Sequence, residues 1–152
     1  MCPEVRDWLK YQASKNCFIK FNKNEYSFKD INDTVYDRVL SLIDFGVKKD
    51  TKVALFLSKS LDFIEVYLAC YKIQSISVIL NTQWKEFELK NAFQAVVPDF
   101  IICQHKDKKL FTGFKKPIIF IEELSKSFGS CYPKQVEDSI DDEAIQSILF
   151  TS

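Results

Sequence analysis

The chain has 152 residues, 21 Lys+Arg against 21 Asp+Glu, one His, 47% hydrophobic residues and 14% aromatics. That length suits one domain burying roughly 70% of its unfolded surface, and the apolar content argues against global disorder. Balanced charge removes the case for bulk electrostatic binding to nucleic acid or a membrane surface, and no apolar run reaches the ~18 residues of a membrane span.

Along the chain, Val5, Trp8, Leu9 and Ala13 stand at helical spacing, which predicts a short amphipathic helix over residues 4–14. The polar, acidic start carries no signal-peptide pattern. Cys17 to Phe21 and Glu25 to Phe28 flank Asn22-Lys23-Asn24 and read as a small hairpin. Ser27-Phe28-Lys29-Asp30 is a capping-box pattern. Ile31, Val35, Val39, Leu42 and Ile43 continue that helix to Gly46, a natural C-terminal cap.

Lys52 to Leu57 is a nearly continuous apolar run, followed by Ser58 and Ser60 as candidate N-caps of a helix holding Leu61, Ile64, Tyr67, Leu68 and Tyr71. Ser75 to Leu80 is a second buried strand. Asn81-Thr82 closes it and is expected to cap a helix holding Phe87, Leu89 and Phe93, which Pro98 ends. Further strands are expected at Asp99–Cys103, Pro117–Ile121 and Ser147–Thr151. Continuous rather than alternating apolar strands, separated by helices, predict an α/β fold: a mostly parallel sheet covered on both faces, joined by right-handed crossovers. The expected organisation is helices and hairpin over 1–50, βα repeats over 51–121, an exposed connector over 122–146, and a final strand over 147–152.

Chemistry-bearing clusters are scarce. Three dispersed glycines, Gly46, Gly113 and Gly129, exclude both a dinucleotide fingerprint and a complete P-loop. Five widely spaced cysteines, Cys2, Cys17, Cys70, Cys103 and Cys131, read as reduced thiols in a reducing compartment, with Cys70 and Cys103 in the core. His105 has no companion ligand and reads as a surface loop residue. Lys106-Asp107-Lys108-Lys109 and Lys115-Lys116 read as a solvated loop. The acidic run Asp138, Asp141, Asp142, Glu143 lacks calcium-loop spacing. Trp84 and Tyr132 are candidate contact residues, Trp84 being better read as packed at a helix start. Nineteen Lys against two Arg, Arg6 and Arg38, with abundant Asn, Ile and Phe, is what an A/T-rich genome gives.

The order of segments adds a resemblance. Tyr26-Ser27-Phe28-Lys29-Asp30-Ile31, then Gly46-Val47-Lys48-Lys49-Asp50 leading into Val53 to Leu57, then Ser60-Leu61-Asp62-Phe63-Ile64-Glu65, then Val78-Ile79-Leu80-Asn81-Thr82 with Glu86 shortly after, resembles the N-terminal part of the acyl-adenylate-forming enzymes. The Leu80-Asn81-Thr82 form resembles the 2-succinylbenzoate–CoA ligase branch of menaquinone and phylloquinone synthesis, and other acyl-CoA ligases. Gln146 to Ser152 resembles the strand entering the family's phosphate-binding loop, where Thr-Ser precedes Gly-Thr-Thr-Gly. Three departures fall at turns: Asp50-Thr51 where the family usually has Gly-Asp, Ile73-Gln74-Ser75 in place of an Ala-Gly turn, and Ile79 in place of a common Pro.

The resemblance implies the front part of the large N-terminal domain of an ATP-dependent carboxylate–CoA ligase. In that family a carboxylate attacks the α-phosphate of Mg-ATP, pyrophosphate leaves, and the CoA thiol displaces AMP from the acyl-adenylate. It implies that Thr151 and Ser152 begin the phosphate cradle and that the other ATP, Mg²⁺, CoA and acyl-contacting residues lie later in family order. No catalytic or metal residue is expected within these residues, and the chain alone is expected to be inactive. The expected partners are a small carboxylate, ATP and CoA, with no nucleic acid, and the expected compartment is cytoplasm or plastid stroma. The rival reading is a flavodoxin-like interaction domain. Its phospho-receiver version is disfavoured, since Ser58-Lys59 and Asn81-Thr82, not acids, follow the strands.

Overall fold

A computed structural model describes residues 17–124 and 145–150. The predicted helix over 4–14, most of the predicted connector, Tyr132 and the acidic run at 138–143 lie outside the described residues.

The chain opens with strands β1 (Cys17–Phe21) and β2 (Asn24–Ser27), paired antiparallel. The turn between them is two residues long, tighter than the sequence suggested. Asn22 (φ 49) and Lys23 (φ 69) both take positive φ, and Asn24 already pairs with Phe21. Two successive positive-φ residues match the twist of a two-residue hairpin. Helix α1 (Phe28–Asp44) follows directly. The Ser27 hydroxyl accepts from the Asp30 N–H at 3.2 Å, and the Asp30 carboxylate accepts from the Ser27 N–H at 2.9 Å. These reciprocal bonds satisfy two donors that a helix start leaves orphaned, so Phe28 itself becomes helical rather than the end of the strand. Gly46, at φ 95, turns the chain away after the helix.

The main sheet has five parallel strands in the order β6-β5-β3-β4-β7. They are β3 (Lys52–Phe56), β4 (Ile76–Ile79), β5 (Phe100–Cys103), β6 (Ile118–Phe120) and β7 (Ser147–Leu149). Helix α2 (Leu61–Ile73) joins β3 to β4, and α3 (Glu86–Ala95) joins β4 to β5. A short helix, α4 (Lys108–Phe111), with flanking 3₁₀ turns joins β5 to β6. The first crossover runs one way along the sheet and the second runs back across β3. Crossovers of one hand then require α2 and α3 on opposite faces.

The core shows that division. Val53 and Leu55 pack with Val35, Val39 and Leu42 of α1 and with Val66, Ala69 and Cys70 of α2. Ala54 and Phe56, one residue out of step, pack with Leu89, Ala92 and Phe93 of α3 and with Phe111. A strand buried on both sides has no solvent face, which is why its apolar run is continuous. Helix α3 shows the opposite case: Leu89 is fully buried while Phe87 stands 72% exposed.

Among the described residues, Arg38 is the largest fully buried side chain. Its Nη2 meets the carboxylates of Asp62 at 2.5 Å and Glu65 at 3.2 Å. Its Nη1 donates to the carbonyls of Leu124 at 2.7 Å and Ile121 at 3.4 Å. One guanidinium thus ties α1, α2 and the segment after β6 together. A planar fork with five donors can bridge two carboxylates and two carbonyls, whereas a Lys ammonium cannot. This explains an Arg here in a chain that otherwise favours Lys. It also shortens the expected exposed connector, since Leu124 is buried, at 2% exposure.

Candidate functional site: a crevice at the ends of β4 and β7

In an open parallel sheet, ligand sites form beyond the carboxyl ends of the strands. At that end of β4 and β7 lies a crevice of ≈ 380 Å³ lined by Ile79, Leu80, Asn81, Trp84, Leu149 and Phe150. Parallel pairing of Ile79 with Leu149 brings the two chain segments abreast as they leave the sheet.

Trp84 reaches the crevice by a turn rather than a helix cap. Asn81 Oδ1 accepts from the Gln83 N–H at 2.9 Å, and the Asn81 carbonyl accepts from the Trp84 N–H at 3.0 Å. This corrects the expectation that Asn81-Thr82 caps the next helix. Asn81 closes its own local turn, a common use of its short amide, and α3 starts later, where Glu88 accepts from the Lys85 N–H at 2.9 Å. The Trp84 ring meets the Phe150 ring edge-on, centroids 5.5 Å apart at 67°. Trp84 is therefore packed, as read from the sequence, and it packs on the segment leading to Thr151.

Thr151 and Ser152 lie outside the described residues. The residue immediately before them, Phe150, forms one wall of the crevice. Among the described residues no group of three or more His, Cys, Asp or Glu can hold a metal ion, and no charged side chain lines the crevice. The residues present there therefore do not fit a magnesium triphosphate.

The remaining candidates fall elsewhere. His105 is exposed, with its ring stacked on Phe120 at 4.0 Å and Nε2 3.5 Å from Glu123. The lysines at 106, 108, 109 and 115 are exposed around α4. Cys70 and Cys103 are free and buried. Burial pushes the Cys103 thiol up to about 12, helped by the nearby carboxylates of Asp107 and Glu122. Such a thiol does not act as a nucleophile at neutral pH. No helix among the described residues is long and apolar enough to cross a membrane.

Comparison with known proteins gives a consistent result. The sequence model of one family, described as AMP-binding enzyme, matches residues 5–152. The chain is 28% identical over 80 residues to acyl-CoA synthetase ALT10 of Alternaria alternata, covering 53% of this chain and 14% of that protein. Its fold is similar to O-succinylbenzoate coenzyme A synthetase (MenE) of Bacillus subtilis in complex with AMP. There the TM-score is 0.75 at 18% identity, over 95% of this chain and 38% of that one. The same enzyme in complex with ATP and magnesium ion gives 0.72 at 17% identity, over 82% and 35%. The N-terminal subdomain of Klebsiella oxytoca NpsA gives 0.64 at 17% identity, over 74% and 30%. At these identities the structural likeness is one of fold, and the chain spans well under half the length of these relatives.

Proposed function

Because the chain belongs to the AMP-binding enzyme family, we propose that it forms the front of the adenylating domain of an ATP-dependent carboxylate–CoA ligase, with 2-succinylbenzoate as the acid. The supporting observation is the placement of β7. It pairs with β4, ends at the crevice wall Phe150 and leads directly to Thr151-Ser152, where the family's phosphate-binding loop would begin. In this reading these residues supply the scaffold and one apolar wall. ATP, Mg²⁺ and CoA are held by groups outside the described crevice, whose lining carries no charge to neutralise them.

The acid assignment rests on the Leu80-Asn81-Thr82 form. A different acyl-CoA ligase is the second reading, supported by the likeness to ALT10. The proposed setting for either is a reducing compartment, in keeping with the free buried thiols of Cys70 and Cys103.

The test is ATP–pyrophosphate exchange by a fusion in which this chain is followed by the later portion of Bacillus subtilis MenE. Acid-dependent exchange supports the scaffold role, with 2-succinylbenzoate compared against benzoate and hexanoate. A fusion that is folded by near-UV circular dichroism yet exchanges with none of the three acids contradicts the role.

A further inference from the structure

We draw no further inference here: the strongest candidate, the side-chain cluster at the carboxyl ends of β5 and β6 where the His105 ring stacks on Phe120 beside Glu123 and the exposed Lys108 and Lys109 of α4, carries no proposal because it forms no metal-ligating group among the described residues and nothing in the structure shows what ligand or partner covers it.

Discussion

Asp50 donates its backbone N–H to the Gln74 carbonyl at 2.9 Å, and both residues are left-handed, with φ 63 and φ 61. These are the turns that lead into β3 and β4, and the bond sets the two strands off side by side. Ile76 then donates to the Thr51 carbonyl at 2.8 Å, and the ladder runs on through Leu55 and Ile79. Glycine is the residue that adopts this conformation without steric cost. This chain forms both turns with non-glycine residues, Asp and Gln.

Replacing Gln74 should therefore show strain held by the register rather than by the side chain. A left-handed non-glycine residue costs roughly 1–2 kcal/mol, partly offset by the greater unfolded-state freedom of glycine. Gln74→Gly is expected to stabilise the chain by about 0.5–1 kcal/mol and Gln74→Val to destabilise it by about 1–2 kcal/mol. Urea midpoints at constant slope measure both, and a loss of stability in Gln74→Gly would show that the Gln side chain outweighs the backbone term.

Arg38 is fully buried and paired with the carboxylates of Asp62 and Glu65. Truncating it leaves Glu65, 3% exposed, without its guanidinium. Breaking one partner of a buried pair costs about 3–5 kcal/mol, whereas replacing both with apolar groups is often close to neutral. Arg38→Met should lose that much in equilibrium unfolding, and Arg38→Met with Glu65→Leu should recover most of it. Additive losses in the double variant would mean that the carbonyls of Ile121 and Leu124, not the carboxylate, are the partners that matter.

Alkali should unfold the chain through the buried thiols of Cys70 and Cys103. Desolvation raises Cys70 from 9.0 to about 11, only partly offset by the Ser75 and Ser77 hydroxyls, and Cys103 from 9.0 to about 12. Between these values and 9.0 the native state holds protons that the unfolded chain has released, so stability falls as pH rises. The contribution is whole below pH 9 and is lost progressively as the pH climbs toward 11 and 12. Cys103→Ala should make the decline between pH 9 and 11 shallower in urea titrations. An unchanged slope would show that Cys103 ionises freely in the folded chain.

The sheet was legible because its strands are unbroken apolar runs and its helices repeat at 3.6 residues. Ser27 with Asp30, and Ser60 with Phe63, each form the cap that local sequence implies. The Asn81 turn was not legible, since the same side chain closes a turn or caps a helix and only the path to Trp84 decides between them. The Arg38 knot joins residues up to 86 apart in sequence, a distance over which no local pattern speaks. The crevice was half visible: Trp84 stood out as a packed residue, but its partner Phe150 looked like any strand residue until β7 was placed beside β4. Strand order is set by which crossovers close, not by the composition of any one strand.

ATP–pyrophosphate exchange by the chain on its own tests the central claim most directly. If these residues are scaffold and apolar wall, with the triphosphate held by groups elsewhere in the family enzyme, the folded chain with Mg²⁺, ATP and 2-succinylbenzoate shows no exchange above a no-protein blank. Exchange that tracks the purified chain and disappears on unfolding would put adenylation within these residues and contradict the account.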